Sequence, residues 1–444
     1  MKEHIDNKQV KSSQWLAHAY EQNPHAIRDE PFLRTFRKQQ WERFLQRGLP
    51  TRREESWKYT DFSFMDKTVF QWPLVNQNAL PRSVSELIVT RARENNLLVF
   101  INGYYVPQYS RVSDLAEGVI LCTLHEALRR HTSLLSTYLL RDLDAKAHPL
   151  SCLNSALMAD GIFVYVPRSV TLKKSLQILS IAQGSAQFMI QPRHVVILEN
   201  EAELTLIDES LNADADYYFS NIHADFFVGR SARLNYYKIQ NEARNAKHAA
   251  NVFFHQKQDS QVNACSFAIG GQFSRNDFTA LLQEPGAFCR MNGFYGLDSD
   301  GQLIDHHLYI DHAAPYTRSE IDFRGVLAGR SRAVFNGKVI AQPGSKKVEA
   351  LQFNHNILLS TLAEVNTKPE LEIYVDEVQC RHGATVGQLD EEALFYLRTR
   401  GIEPRMAKLI LLQALMENAL NQVTLPWLVQ YMHAQWGKCV ERLG

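Results

Sequence analysis

The sequence predicts a mainly β fold, in which a parallel β-helix lies between helical regions at the two ends of the chain. First, apolar and polar residues alternate through roughly residues 159–380, as in EAELTLID (201–208) and SEIDFRGVL (319–327). Second, turn residues recur about every thirty residues, and FVGRSARL (227–234) is similar to LAGRSRAV (327–334). Third, helical periodicity is scarce between these strands, so parallel strands must coil around a shared interior. A β-sandwich is the alternative.

The pattern divides the chain into three domains: a mostly helical region at 1–158, the β-helix core at 159–382, and a helical region at 383–444. In the first region, apolar residues at three- and four-residue steps predict a helix that ends at Gly48. The segment LLVFINGYYVP (97–107) predicts two strands joined by a turn at Asn102 and Gly103.

The third region begins where the β pattern ends. Asp390 is placed to cap a helix that starts with EEAL, Gly401 ends this helix, and Pro404 starts the next one. The second helix has a broad apolar face, yet Ile410 and Leu411 project outside it. The helix therefore has more apolar surface than one core needs. Either a small helical domain buries this extra apolar surface itself, or the extra apolar surface is a docking site for another protein.

Composition excludes several classes of function. Lysine plus arginine equals aspartate plus glutamate at 48 each, and no basic run indicates nucleic-acid binding. No stretch approaches the ~20 apolar residues of a membrane span, so we expect a cytoplasmic protein. The phosphate-binding GxxxxGK[ST] motif and the GxSxG, HExxH and GxGxxG motifs are all absent. The six cysteines show no paired spacing, and we expect free, mostly buried thiols.

Two segments carry candidate metal ligands. In LIDHHLYIDHAAP (303–315), alternation places Asp305 and His307 on one side of a strand and His306 on the other. Two histidines and a carboxylate can bind iron or zinc, but a ladder of polar residues that satisfy one another is the more common outcome. In CRHGATVGQ (380–388), alternation sends Cys380 and His382 to the same face of a strand predicted to end at Gly383.

Thiolate and imidazole are ligands that iron, zinc or a cluster accepts, but two ligands do not close a four-coordinate site. Three interpretations stay open for Cys380 and His382: the pair is structural, it holds a metal transiently, or another subunit supplies the missing ligands.

Residues 364–402, EVNTKPELEIYVDEVQCRHGATVGQLDEEALFYLRTRGI, resemble the SufD family of the SUF iron–sulfur cluster assembly machinery. Three further segments resemble the same family: DHAAPYTRSEIDFRGVLAGRSRAVFNGKV (311–339), SWKYTDF (56–62) and INGYYVP (101–107). The resemblance implies a right-handed parallel β-helix between helical ends. It also implies a heterodimer with a SufB-like paralogue through the β-helix, and binding of a SufC-like ABC ATPase by the C-terminal helices.

On this resemblance, His382 is a ligand of a transient iron–sulfur cluster or iron at the subunit junction, facing a cysteine of the SufB-like partner. Cys380 is a second candidate ligand. The chain itself would be a non-enzymatic scaffold without a permanently bound cofactor, and the resemblance allows a homodimer of the isolated chain. The alternative is a metal-dependent β-helix enzyme acting on an acidic polysaccharide through the 305–312 cluster. The residues predicted to contact the ATPase are Leu394, Leu397, Ile410 and Leu411.

Overall fold

The computed structural model describes residues 14–24, 30–73, 79–139 and 148–442, and its centre is a parallel β-helix. The predicted β-helix is therefore confirmed, and the sandwich alternative is wrong. The strands are β1 (Asn96–Ile101), β2 (Tyr104–Tyr105), β3 (Ile120–Thr123), β4 (Ile162–Val166), β5 (Leu176–Ala182), β6 (Phe188–Ile190), β7 (Arg193–Leu198), β8 (Glu203–Asn212), β9 (Tyr218–Val228), β10 (Arg233–Glu242), β11 (Lys247–Gln256), β12 (Gln261–Gly270), β13 (Phe273–Leu282), β14 (Phe288–Leu297), β15 (Leu303–His312), β16 (Arg318–Leu327), β17 (Arg332–Ala341), β18 (Val348–Leu358), β19 (Glu364–Ile373) and β20 (Val378–Gly387).

The strands form two sheets, and from β8 onward the chain alternates between them. Sheet I has the order β2-β1-β5-β8-β10-β12-β14-β16-β18-β20, and sheet II has the order β19-β17-β15-β13-β11-β9-β7-β4-β3, with β6 paired beside β9. Within the described residues, every strand pair is parallel except β1 with β2 and β3 with β4. The register partners Glu203 and Arg233 lie thirty residues apart, which is the length of that turn.

Alternating side chains build the interior of the β-helix. Ala202, Leu204 and Leu206 are at most 2% exposed and belong to one apolar cluster that runs along the solenoid. Burial of each of the two leucine side chains stabilises the fold by ~1.5–3 kcal/mol. The repeated turns stack closely, because a Cβ added at Gly229 would lie 2.8 Å from the backbone nitrogen of Asn200 in the preceding turn.

Helices cover the outer faces of both sheets. Helix α2 (Pro31–Arg47) packs on α7 (Pro149–Leu157), and Trp57 is buried among side chains from sheet II. Helices α9 (Pro404–Leu420) and α10 (Pro426–Glu441) pack their apolar faces on sheet I, around Trp436. No helix in the described parts of the chain has the length and apolar content needed to cross a membrane. The helices are α1 (residues 14–21), α2 (Pro31–Arg47), α3 (Phe64–Lys67), α4 (Arg82–Glu94), α5 (Leu124–Arg130), α6 (Thr132–Leu139), α7 (Pro149–Leu157), α8 (Glu391–Thr399), α9 (Pro404–Leu420) and α10 (Pro426–Glu441).

The predicted turn at Asn102 and Gly103 and the predicted cap at Asp390 are confirmed, and one predicted strand end is wrong. The Asn102–Gly103 turn joins β1 to β2, and the Asp390 side chain accepts hydrogen bonds from the first N–H groups of α8. However, β1, β2 and β3 lie before residue 159 and belong to the two sheets. The prediction that the strand ends at Gly383 is wrong, because β18 supplies register partners to β20 as far as Gly387. The division into three domains stays a prediction.

Candidate functional site at the open end of the solenoid

The last two strands leave the C-terminal end of the solenoid open. Strand β20 pairs with β18 and ends sheet I, and β19 pairs with β17 and ends sheet II. Residues of β19 and β20 are half-buried or exposed, whereas the strands of the preceding turns are largely buried. Such an edge carries unpaired backbone N–H and C=O groups and is a template for pairing with another chain.

Cys380 and His382 lie on this open edge and face the interior side of sheet I. Their register partners on β18 are Ala350 and Gln352, which are 1% and 0% exposed. Cys380 is half-buried against the apolar interior, and His382 is exposed at the end of the solenoid. The prediction that both side chains share one face is confirmed.

The environment of Cys380 favours the neutral thiol. Burial raises the pKa of Cys380, and the nearby Ala350 backbone lowers it by a smaller amount. Because the thiolate is the form that binds metals, a metal at this position must displace a proton. Over the described residues, no group of three or more His, Cys, Asp or Glu side chains is arranged to hold a metal ion.

Two further polar residues line the interior beneath this edge. Gln352 donates a hydrogen bond from Nε2 to the carbonyl oxygen of Gly337 at 2.9 Å. Its Oε1 is buried without a hydrogen-bond partner, and so is the Oγ1 of Thr367 on β19. Unsatisfied buried acceptors and hydroxyls are rare in folded proteins. The sequence pattern did not single out these residues, because isolated Gln and Thr in a strand carry no motif.

The histidine-rich segment at 303–315 does not form an open site. Asp305 is buried on the outer face of sheet II, where it accepts hydrogen bonds from Arg275 and from Thr60. His306 points to the interior, and the His307 ring lies 3.0 Å from Asp305. The predicted alternation is confirmed, and a ladder of polar residues that satisfy one another forms on the outer side.

Arg275 is the centre of that ladder. It binds Asp277 with Nε and Nη2 at 2.8 Å each, and its Nη1 lies 2.7 Å from Asp305. Burial alone would raise the pKa values of both carboxyls, but Arg275 brings them below their ordinary value. The guanidinium also lies 4.1 Å from the centre of the Trp57 ring, so the ladder fixes the N-terminal segment to sheet II.

The C-terminal helices expose apolar side chains at one surface. Leu397, Ile410 and Leu411 line a shallow depression together with Phe395 and Tyr396, which are 67% and 58% exposed. The fourth predicted contact, Leu394, is half-buried and lines a neighbouring cleft between α8 and α9. Sequence reasoning missed both aromatic residues, although two adjacent aromatic side chains on a charged helix were a visible signal. We call Phe395, Tyr396, Leu397, Ile410 and Leu411 the α8–α9 surface.

Comparison with family models decides the family. The model described as SUF system FeS cluster assembly, SufBD core domain, matches residues 180–415, and the model of the SufBD protein N-terminal region matches residues 10–178. The chain belongs to the SufBD family. The core-domain match spans the solenoid from β5 through β20, and it ends inside α9.

Curated relatives of this SufBD protein are similar over most of their length. The iron–sulfur cluster assembly protein SufD of Escherichia coli is 28% identical over 90% of this chain and 91% of its own length. A SufBD family protein of Synechocystis is 28% identical over 85% of this chain and 84% of its own length. SufD of Bacillus subtilis is 24% identical over 83% of this chain and 84% of its own length. The predicted resemblance is confirmed, and the chain has a role in iron–sulfur cluster assembly.

Proposed function

We propose that this SufBD protein is a SufD-like, non-enzymatic scaffold subunit that supplies part of a site for a nascent iron–sulfur cluster. The observation that supports this most directly is the position of Cys380 and His382. Both face the interior side of the last strand, on an edge that a second protein can extend.

The incomplete ligand set fits a site shared between two proteins. A thiol and an imidazole are acceptable ligands for iron, but a closed site needs about four. A SufB-like paralogue that extends the β19 and β20 edges would bring its own side chains next to His382. A cluster held by ligands from two chains can also be released when the chains separate. In this role His382 is the principal ligand, and Cys380 is a second one after its thiol loses a proton.

The α8–α9 surface is the proposed docking site for a SufC-like ABC ATPase. Large aromatic side chains that stay exposed on a folded protein are typical of binding surfaces. The acidic residues Asp390, Glu391 and Glu392 border the same depression, so the proposed partner surface combines apolar and basic groups. ATP hydrolysis would then reside in the partner, and no bond-breaking step is assigned to this chain.

The partners are tested by co-expression with SufB-like and SufC-like proteins of the same organism. A tag on this chain should recover both partners in one complex. Recovery of this chain alone, under conditions in which both partners are soluble, would contradict the scaffold role.

The ligand role is tested by His382→Ala in the co-expressed complex. We expect an intact complex that has lost most of its visible cluster absorbance and its bound iron. The matched control is His355→Ala, which removes an imidazole from the outer side of the adjacent strand, where Nδ1 lies 2.9 Å from Thr385 Oγ1. If the His382→Ala complex keeps wild-type iron and absorbance, His382 is not a ligand.

A further inference from the structure

We infer that the exposed His382 ring turns toward Gln352, whose side-chain oxygen has no partner in the structure, and donates a hydrogen bond to it from one ring N–H. Gln352 thereby positions the imidazole and leaves the other ring nitrogen to point out of the solenoid. The use of this hydrogen bond in cluster assembly rests on the function proposed above. The hydrogen bond itself rests on the geometry of the two strands.

The geometry places the two side chains next to each other. Gln352 on β18 and His382 on β20 are register partners in a parallel pair, so both side chains stand on the same face. Neighbouring strands lie about 4.8 Å apart, which brings a glutamine oxygen within reach of an imidazole on the next strand. His382 is exposed, and its ring therefore has room to rotate onto Gln352.

The orientation of the Gln352 amide is already set. Its Nε2 donates a hydrogen bond to the Gly337 carbonyl oxygen. If the amide were turned over, its oxygen would face this carbonyl oxygen, and two acceptors cannot form a hydrogen bond. Gly337 makes room for the amide, because a Cβ at this position would lie 2.1 Å from Gln352 Nε2. The Oε1 atom is therefore held in place, fully buried, and without a partner.

A buried acceptor of this kind selects one tautomer of a neutral imidazole. The ring nitrogen that carries the proton donates to Gln352, and the other nitrogen keeps its lone pair for a metal. Histidines that bind metals commonly donate their second ring N–H to a carbonyl, which fixes the ring and strengthens the ligand. Gln352 is thus a positioning residue, and it does not touch the metal.

The test measures the His382 tautomer in the isolated chain, labelled with ¹⁵N-histidine, at pH 9, where imidazole side chains are neutral. Gln352→Met removes the acceptor at nearly constant volume, and Gly337→Ala displaces the amide by another route. We define the tautomer ratio as the population of the His382 tautomer that donates to Gln352 divided by the population of the other tautomer. Each variant should reduce this ratio about fivefold, which is the effect of one lost hydrogen bond. Leu351→Ala, on the outer face of the same strand, should leave it unchanged.

A His382 tautomer ratio that stays at the wild-type value in both Gln352→Met and Gly337→Ala overturns the inference, provided that circular dichroism shows folded protein. This result is independent of the cluster measurement on His382→Ala. The His382→Ala complex could keep its cluster while the tautomer ratio falls as expected in Gln352→Met and Gly337→Ala. In that case the proposed ligand role fails, and the hydrogen bond between Gln352 and His382 stands.

Discussion

Arg91 and Glu209 form a buried ion pair that joins three parts of the chain. The guanidinium of Arg91, on α4, contacts both carboxylate oxygens of Glu209 on β8 at 3.2 and 3.3 Å. The same guanidinium lies 4.4 Å from the ring centre of Trp427 and 4.0 Å from that of Tyr431, both on α10. One side chain from the N-terminal region therefore neutralises a carboxylate of the solenoid beneath the last helix.

Replacing Arg91 with methionine should destabilise the protein strongly. The methionine keeps packing against both rings but leaves the Glu209 carboxylate buried without its counter-ion. Removal of one partner of a buried ion pair costs about 3–5 kcal/mol of the free energy of unfolding. Urea unfolding followed by circular dichroism measures this loss.

The control for this ion pair is Arg93→Met, which changes an exposed arginine on the same helix and should alter the free energy of unfolding by less than about 0.5 kcal/mol. Equal midpoints for Arg91→Met and Arg93→Met would show that the pair does not hold the three parts together.

Arg275→Met should release the N-terminal segment from sheet II. The change leaves Asp277 and Asp305 buried without their cation, and it removes the hydrogen bond from Arg275 to the Ser56 carbonyl oxygen. We expect a loss of about 3–5 kcal/mol and faster tryptic cleavage around residues 52–58. Limited proteolysis followed by mass spectrometry locates the cleavage.

The comparison for Arg275 is Arg290→Met, which removes a half-exposed ion pair with Glu320 on sheet I. This variant should lose no more than about 1 kcal/mol and should keep the wild-type cleavage rate. Slow cleavage at residues 52–58 in Arg275→Met would mean that other contacts hold the segment.

The fold was predictable where side chains alternate, and the site was predictable only in part. Ala202, Leu204 and Leu206 indicate the interior face directly. Every second side chain of a strand points to the same face, and these three are all apolar. His306 breaks this rule, since it is polar and lies in the interior, and periodicity alone cannot distinguish it from an outward residue. The extension of β20 to Gly387 depends on pairing with β18, which a local pattern does not contain. Cys380 and His382 could be placed on one face, but not next to Gln352.

Low pH should destabilise the fold through His306. This ring lies between the rings of Tyr295 and Phe323 at centroid distances of 5.2 and 5.1 Å, and burial lowers its pKa to about 3. The unfolded state, with a pKa near 6.5, binds the proton first, so stability is full above pH 6.5 and falls as the pH decreases toward 3. Between pH 7 and pH 5 the loss from this group is about 2 kcal/mol.

His306→Phe should remove this part of the pH dependence, because a phenyl ring fits the aromatic surroundings and does not titrate. Urea midpoints at pH 7 and pH 5 measure the difference. His125→Phe, at an exposed position, should keep the wild-type difference between the two pH values. If His306→Phe also keeps the wild-type difference between the urea midpoints at pH 7 and pH 5, a group other than His306 takes up the proton on unfolding.

Truncation of the α8–α9 surface should weaken binding of the proposed ATPase without affecting folding. Phe395→Ala with Ile410→Ala removes two exposed side chains from one depression, and we expect at least a tenfold rise in Kd, measured by calorimetry with a SufC-like protein. Val89→Ala removes an exposed apolar side chain of α4 and should leave Kd unchanged. An unchanged Kd for the double variant would place the ATPase elsewhere.

Cys380 should react slowly with iodoacetamide in the isolated chain, because its thiol is half-buried and its pKa is raised by burial. Its rate should rise steadily between pH 7 and pH 10 as the thiolate forms. Cys122 is an internal control on the same molecule: burial raises its pKa to about 12, and it should react more slowly than Cys380 throughout. Peptide mass spectrometry of partly alkylated protein gives both rates. Fast modification of Cys380 at pH 7 would show a thiolate already present before any metal arrives, and Cys380 would then rank beside His382 as a ligand.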